Sequence, residues 1–221
     1  MNVQVLVFDL DGTLIDTMGD YADQAAALIC DRYGTSWAEA RRGYFETSGL
    51  PFEQQLEQLF PGEACNDEVS RRFESWKDGY LLNASLPFET TELLRGWRNE
   101  GFRVAISSNN LESYVQRLAK CWPVDAALGY RAQDGFGKGE PHFQKLEELF
   151  GFAREQMLFI GDSPNDARIA ALSRVPFCVL LTREFAEADF SQYSPGVQCI
   201  AKLSELNASL QDSRLIGAPA S

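Results

Sequence analysis

The stretch VQVLVFDLDGTLID, Val3 to Asp16, joins a short apolar run to two aspartates, Asp9 and Asp11, spaced two residues apart. The apolar run is typical of a buried strand, and an extended chain places residues i and i+2 on the same face. Two carboxylates held side by side repel each other unless a cation or a proton lies between them. An Asp-Gly turn at Asp11-Gly12 is the alternative explanation, but such a turn needs only one carboxylate. The stretch therefore indicates chemistry at the end of a strand.

Apolar runs bounded by turn residues occur at further places and are predicted to be buried parallel strands. They are Phe102 to Ile106, Val124 to Leu128, Met157 to Ile160 and Phe177 to Leu181. Helical patterns separate these runs, at Thr90 to Glu100, Leu111 to Lys120, Pro141 to Phe150 and Asn165 to Ser173. Strands that alternate with helices of this length indicate βαβ units around a parallel sheet. The predicted fold class is therefore α/β.

Residues 17–85 break this alternation, because their apolar residues recur at helical spacing. Turn residues at Gly34, at Gly49 to Pro51 and at Pro61-Gly62 divide the stretch into several helices. We therefore expect a helical module at residues 17–85, inserted into a core that is formed by residues 1–16 and 86–210. Residues 211–221, which end in Gly-Ala-Pro-Ala-Ser, are expected to be a frayed or disordered tail.

Bulk composition excludes several classes of partner. The chain has 221 residues and a net charge of -12, which argues against nucleic acid or an anionic membrane as a partner. Its five cysteines are odd in number and never spaced as CxxC, a usage that suits reduced thiols better than disulfides or zinc. The sequence has no signal-peptide pattern and no apolar stretch of membrane-spanning length. A cytoplasmic protein is expected.

Polar residues directly follow three of the predicted strands. They are Asp9 and Asp11 after the first strand, Ser107 to Asn110 after the FRVAI run, and Gly161 to Asp166 after the MLFI run. In open parallel α/β sheets, ligands bind outside the carboxyl ends of the strands. We therefore expect these groups to converge on one crevice, although they are far apart in sequence.

Four stretches in this order resemble the motifs of the haloacid dehalogenase superfamily of phosphotransferases. FDLDGTLID is similar to the first motif, ISSN to the second, GKGEP to the lysine-bearing third and GDSPND to the fourth. The resemblance is closest to the branch that carries a helical cap after the first motif, such as the phosphoglycolate phosphatases. It implies a Rossmann-like core, a helical cap and a Mg2+-dependent mechanism through an aspartyl-phosphate. The implied partner is a small phosphorylated metabolite.

The resemblance also implies roles for individual residues. Asp9 would be the nucleophile, and Asp11 the general acid and base. Ser107 would hydrogen-bond the phosphoryl group, and Lys138 would neutralise its charge. The implied phosphate ligands are Ser107, Ser108, Asn109 and Lys138, and the implied metal ligands are Asp9, Asp11, Asp162 and Asp166.

The charge of these residues supports a metal independently of the resemblance. Four carboxylates and the Lys138 ammonium give a net charge of -3, which would repel a phosphate dianion. Mg2+ would bring the site to -1 and supply a Lewis acid. Oxygen ligands suit Mg2+ better than zinc, which favours His or Cys. Asp162 is the stronger candidate for direct coordination, whereas Asp166 either coordinates the metal or supports Lys138 or a metal-bound water.

The third motif departs from the family pattern, in which a proline usually follows the lysine. Here Gly139 follows Lys138, so this lysine is expected to be held less rigidly. His142, the only histidine, lies in the first turn of a predicted helix. We expect it at the surface or in a capping role, with a minor substrate contact as the alternative.

A phosphatase that hydrolyses a small phosphate monoester is the favoured function. A phosphosugar mutase of the same superfamily is an alternative, but this chain has Tyr21 and Phe52 where such mutases usually carry His and Arg. A dehalogenase is disfavoured because that branch lacks the second acid, and Asp11 is present. A catalytically silent binding protein is the third alternative, although it would have no physical need for mutually repelling carboxylates.

Overall fold

A computed structural model of the chain describes residues 2–81, 84–193 and 197–210. The chain divides into two compact units. One comprises Met1–Ile15 and Leu86–Ser221, and the other comprises Asp16–Ser85. The tail predicted at residues 211–221 lies outside the described residues.

The first unit contains a six-stranded sheet in which every neighbouring pair is parallel. Its strands are β1 Val5–Phe8, β2 Arg103–Leu111, β3 Ala126–Tyr130, β4 Met157–Gly161, β5 Phe177–Leu180 and β6 Gln198–Ile200. The strand order is β3-β2-β1-β4-β5-β6. The order reverses at β1, where doubly wound sheets bind their ligands. The predicted α/β class with a Rossmann-like parallel sheet is confirmed.

Helices connect these strands and supply the rest of the core. The second unit contains α1 Met18–Tyr33, α2 Trp37–Glu46, α3 Phe52–Leu59 and α4 Asn66–Leu81. The first unit contains α5 Phe88–Asn99, α6 Glu112–Ala119, α7 Glu140–Phe150 and α8 Pro164–Ser173, together with short 3-10 turns. Within the described part of the chain, none of these helices is both long and apolar enough to cross a membrane.

The first unit buries one large apolar cluster against the sheet. Val5 and Val7 of β1 pack in it with Phe143 of α7 and Phe159 of β4. All four side chains are fully buried. Because successive residues of a strand alternate between its two faces, this cluster fixes which face each strand presents.

Strand register brings the ends of three strands to the same level. Phe8 of β1 lies opposite Ile106 of β2 and opposite Ile160 of β4. The backbone N–H of Asp9 donates to the Ile160 carbonyl at 2.9 Å. The residues after Phe8, Ile106 and Ile160 are therefore neighbours at one edge of the sheet, and those after Ile106 still belong to β2, which continues to Leu111.

The second unit has its own core, which is largely aromatic. The Phe52 and Phe73 rings lie 4.1 Å apart between centroids, and Tyr21 meets Phe73 edge-on at 6.0 Å. Such pairs stabilise a core beyond the apolar area that they bury. α2 begins with a reciprocal cap, in which Ser36 and Glu39 each bind the other's backbone N–H.

Candidate active site

Lys138 binds two carboxylates at the carboxyl end of β1. Its Nζ lies 2.6 Å from Asp9 Oδ1 and 2.8 Å from Asp166 Oδ1. The three side chains are almost completely buried, with exposed fractions of 2%, 8% and 0% for Lys138, Asp9 and Asp166. A buried ion pair is stable only when its charges are closely compensated. One ammonium against two carboxylates leaves this group with excess negative charge.

Asp162 adds a third buried carboxylate. One carboxylate oxygen from each of Asp9, Asp162 and Asp166 lies within 4.8 Å of the other two. Thr13 Oγ1 donates to Asp162 Oδ1 at 3.3 Å. Asp162 Oδ2 is buried and has no hydrogen-bond partner among the residues that the structure describes. A buried carboxylate oxygen with no partner is costly in a native structure, so this one points to an ion.

The ionisation behaviour of the site reflects its excess negative charge. Burial raises the pKa of the Asp9 carboxyl to about 7, with Lys138 opposing the shift and Asp166 adding to it. Burial, together with the charges of Asp9 and Asp166, raises the pKa of Asp162 well above its ordinary value. Burial alone would lower the pKa of Lys138, but the charges of Asp166 and Asp9 outweigh it and raise that pKa. A divalent cation would oppose both carboxylate shifts, because it favours the ionised forms.

The donor set fits Mg2+. Carboxylate oxygens are its preferred protein ligands, and the orphaned Asp162 oxygen lies in the same group as Asp9. Among the described residues, Asp11 is not a member of that group. The carboxylates placed to hold the ion are therefore those of Asp9, Asp162 and Asp166.

Both oxygens of Asp166 are already engaged. Oδ1 accepts from Lys138, and Oδ2 accepts from the Ser163 hydroxyl at 2.6 Å. Ser163 in turn caps α8 by accepting from the Asp166 backbone N–H. Asp166 therefore supports Lys138 and begins α8, and it also belongs to the group of carboxylates that could hold an ion, which accords with both of the roles considered for it. Gly161 is required beside it, since a Cβ there would lie 2.7 Å from Asp166 Cβ.

His142 is buried inside the first unit, so the prediction that it lies at the surface is wrong. It has an exposed fraction of 0%. Its Nδ1 lies 2.9 Å from Ser107 Oγ, and its Nε2 lies 3.2 Å from the Gly129 carbonyl oxygen. Burial lowers the pKa of His142 to about 3, so the ring is neutral. A polar residue in a first helical turn is usually exposed, and only the packing of α7 on the sheet overrides this.

The tautomer of His142 determines what Ser107 can do. A carbonyl oxygen only accepts, so Nε2 carries the hydrogen and donates to Gly129. Nδ1 is then an acceptor, and the Ser107 hydroxyl donates to it. The hydroxyl that was predicted to bind the phosphoryl group is therefore engaged with His142.

The next three residues of β2 contact other parts of the site. Ser108 Oγ accepts from the Asn110 backbone N–H at 3.1 Å, and its own hydroxyl hydrogen has no acceptor among the described residues. Asn109 Oδ1 accepts from the Lys138 backbone N–H at 2.9 Å. Asn110 Nδ2 donates to Asp11 Oδ2 at 2.5 Å. Asn110 carried no predicted role, and neither Thr13 nor Ser163 was singled out, although all three lie within the quoted motifs or next to them.

The glycine after Lys138 has a backbone conformation that proline cannot adopt. Gly139 has φ of 119° and ψ of -142°, whereas proline is fixed near φ of about -65°. The backbone at Gly139 could therefore not accommodate the proline of the family pattern. The loop is held by its own contacts, because Arg131 lies 4.1 Å above the Phe136 ring and that ring lies 4.6 Å from His142.

The fold and this group of acidic residues define a class of protein. The chain belongs to the haloacid dehalogenase-like hydrolases, since the sequence model of that family matches residues 6–171. Proteins similar to this chain are named for two different activities. The chain is 26% identical over 187 residues to a phosphoglycolate phosphatase from Haemophilus influenzae, covering 75% of this chain and 81% of that protein. It is 25% identical over 194 residues to an (S)-2-haloacid dehalogenase from Pseudomonas fluorescens, covering 80% and 84%.

Solved structures agree on the fold. A hydrolase from Pseudomonas syringae superimposes with a TM-score of 0.78 at 15% identity, over 95% of this chain and 98% of that one. A haloacid dehalogenase-like hydrolase from Streptococcus pneumoniae superimposes with a TM-score of 0.76 at 21% identity, over 95% and 99%. These likenesses concern the fold alone.

Proposed function

We propose that the chain is a Mg2+-dependent phosphatase that hydrolyses a small phosphate monoester through an aspartyl-phosphate on Asp9. The observation that carries the proposal is the buried group at the end of β1. There Asp9 lies 2.6 Å from Lys138 and within 4.8 Å of Asp162, which has an unpartnered oxygen. Phosphoryl transfer needs positioning and charge neutralisation more than any other contribution, and this group supplies both.

In the first half-reaction, an Asp9 oxygen attacks phosphorus, and the bond between phosphorus and the ester oxygen breaks. Asp11 gives its proton to the departing oxygen, which leaves as an alcohol. Lys138 neutralises the charge of the phosphoryl group. Ser108 is the hydroxyl with a hydrogen to donate to that group, because the Ser107 hydrogen goes to His142.

In the second half-reaction, Asp11 removes a proton from water, and the water oxygen attacks phosphorus. The bond between phosphorus and Asp9 breaks, which releases inorganic phosphate and restores the free carboxylate. Mg2+, when bound by Asp9 and Asp162, would supply a Lewis acid for the phosphoryl oxygens. Asp166 keeps Lys138 in place through both halves.

The substrate class follows from the relatives. Several of them are phosphoglycolate phosphatases at 23% to 27% identity, so we infer a small phosphorylated metabolite of that kind. The inserted helical unit, Asp16–Ser85, would act as the cap that the family resemblance implies. The net charge of -12 is compatible with a metabolite partner rather than nucleic acid.

Dehalogenation is the second candidate, because one relative is an (S)-2-haloacid dehalogenase. That reaction displaces halide from carbon and needs no acid to protonate a leaving oxygen. The presence of Asp11, held by Asn110, favours phosphate ester hydrolysis instead.

The test compares phosphate and halide release by the purified chain. We expect phosphate release from p-nitrophenyl phosphate and from small alkyl phosphates with Mg2+, none with EDTA, and none from Asp9→Asn under either condition. Mass spectrometry of acid-quenched protein should find a phosphoryl group on the peptide that contains Asp9. Halide release from a 2-haloacid without phosphatase activity would assign the chain to the dehalogenases. Phosphate ester binding without turnover would support the silent binding protein.

A further inference from the structure

An apolar groove runs along one face of α5 in the first unit. It has a volume of about 510 Å3, and its apolar wall includes Phe88, Leu93 and Trp97. Phe88 has an exposed fraction of 81%, which is higher than that of any other large apolar side chain among the described residues. Ligand sites are concave, mostly apolar and about 300 to 1,000 Å3 in volume. The groove therefore has the size and the lining of a site for a small molecule.

Trp97 is a firmly held part of this lining. It has an exposed fraction of 1%, and its ring stacks on the Phe8 ring with 5.6 Å between centroids. Its indole Nε1–H donates to Asn207 Oδ1 at 2.7 Å, so the polar atom of the ring already has a partner. A ligand in the groove would therefore meet the carbon atoms of an aromatic ring that the protein holds in place.

Gly96 keeps the groove open at a cost to the helix. It lines the groove and lies inside α5, where glycine is less favourable than alanine or leucine. A Cβ added at Gly96 would meet no heavy atom within 4 Å. Packing within the described part of the chain therefore does not require a glycine here, whereas the space that it leaves would suit a bound ligand.

The rim of the groove is acidic. Three of its lining residues are glutamates, Glu89, Glu92 and Glu100, and none of its other lining residues is cationic. Arg95, which lies outside the lining, binds Glu92 at 2.6 Å and offsets one of the three charges. Carboxylates and the faces of aromatic rings both attract positive charge. The groove is therefore complementary to a cation that carries an apolar body.

We propose that this groove is a binding site for a small organic cation, namely an ammonium group on an aromatic or alkyl body. The body would lie against Phe88, Leu93 and Trp97, in the space beside Gly96, and the ammonium group would face the glutamates. The inference is independent of the proposed phosphatase function, because none of the lining residues belongs to the candidate active site.

Three ligands with the same phenylbutyl body test the proposal. Phenylbutylammonium, phenylbutanol and phenylbutyrate differ only in the charged or neutral group at one end. The indole N–H signal of Trp97 in proton–nitrogen correlation spectra of the full chain, assigned with Trp97→Phe, reports binding. We expect the ammonium to bind saturably, with a Kd at least about threefold lower than that of the alcohol and at least about tenfold lower than that of the carboxylate. These differences should shrink in about 1 M NaCl, where the screening length is about 3 Å.

A filled groove should lose the ligand. Gly96→Leu places side-chain atoms in the groove, and we expect it to raise the Kd of phenylbutylammonium at least about tenfold, because occupied space excludes the ligand. Its thermal unfolding midpoint, which leucine in a helix should not lower, shows that the variant folds. Gly79→Leu is the matched control, since Gly79 also lies inside a helix with no heavy atom within 4 Å of an added Cβ, but belongs to α4. It should bind as the unmodified chain does.

Removal of charge should remove the preference for a cation. Glu89→Gln with Glu100→Gln is expected to reduce the advantage of the ammonium over the alcohol to less than about twofold. Glu53→Gln with Glu63→Gln removes the same charge from the second unit, so it should leave that advantage unchanged.

No saturable binding, equal affinity for all three ligands, or binding that survives in Gly96→Leu would overturn the proposal. An equal loss in Gly79→Leu would overturn it too, since the effect would then not belong to the groove. So would a dimer, measured by sedimentation, that Gly96→Leu converts into monomers, because a second copy of the chain would then fill the groove.

Discussion

Acidification is expected to destabilise the fold through His142. Burial lowers the pKa of this residue to about 3 from an ordinary 6.5, and the charges of Lys138 and Arg131 act in the same direction. Below about pH 6.5 the unfolded chain binds a proton on this ring that the folded chain does not. The stability that the neutral ring contributes is therefore complete above that pH, and it is lost progressively as the pH falls toward 3.

The size of the effect follows from linkage. Between about pH 7.5 and about pH 5.5, protonation of the unfolded ring should lower the free energy of unfolding by about 1.4 kcal/mol. Asp9 acts in the opposite direction, because its pKa is raised to about 7 in the folded chain. Its protonation relieves a buried charge as the pH falls, and so does that of Asp162. The His142 contribution must therefore be isolated by a variant.

The assay is urea unfolding in EDTA at both pH values, with the unmodified chain and His142→Gln. Glutamine supplies an acceptor and a donor for the contacts with Ser107 and Gly129, but it does not titrate. The free energy of unfolding should fall by about 1.4 kcal/mol more in the unmodified chain than in the variant between about pH 7.5 and about pH 5.5. The same pH dependence in both proteins would refute a neutral, buried His142.

Two further outcomes follow from the backbone and the charge of the site. Gly139→Ala should lower the free energy of unfolding by about 1 to 3 kcal/mol in urea, because a residue with Cβ is strained at φ of 119°; an unchanged midpoint would mean that the loop adopts another backbone. Asp162→Asn should raise the thermal unfolding midpoint in EDTA, because it removes a buried charge. It should also abolish the stabilisation by Mg2+, which in the unmodified chain would add about 2.7 kcal/mol to the free energy of unfolding when Mg2+ is in hundredfold excess over its Kd. A Mg2+-dependent increase that survives in Asp162→Asn would place the ion elsewhere.

Much of the fold could be predicted because its strands are buried on both faces. Short continuous apolar runs such as VLVF and MLFI are typical of buried strands. The structure has β1 and β4 at these two runs. β6, Gln198–Ile200, was not predicted, since three residues beginning with a polar one give no periodic signal. The convergence of Asp9 and Asp162 could be predicted because the carboxyl ends of parallel strands meet at one edge.

Contacts that depend on packing could not be predicted from local pattern. The burial of His142 results from the way α7 lies on the sheet, and its partner Ser107 is 35 residues away. The two serines of ISSN are adjacent and of the same type, so the local sequence does not show that Ser107 and Ser108 have different hydrogen-bond partners. The structure distinguishes them by their hydrogen-bond partners, since the Ser107 hydroxyl donates to His142 and the Ser108 oxygen accepts from Asn110.

The end of β2 explains how one short segment can serve several steps of a reaction. The pairing of β2 with β3 is irregular in this segment, because Ser107 lies opposite Leu128 whereas Leu111 lies opposite Tyr130. Ser107 contacts His142, and Asn109 contacts the backbone of Lys138, the residue proposed to neutralise the phosphoryl charge. Asn110 contacts Asp11, the proposed general acid and base. A shift of β2 by one residue would break both sets of contacts, so the proposed charge neutralisation and the proposed proton transfer both depend on this register. The hydrogen bond between Ser107 and the buried His142 resists such a shift, and in the proposed mechanism it therefore serves catalysis as well as stability.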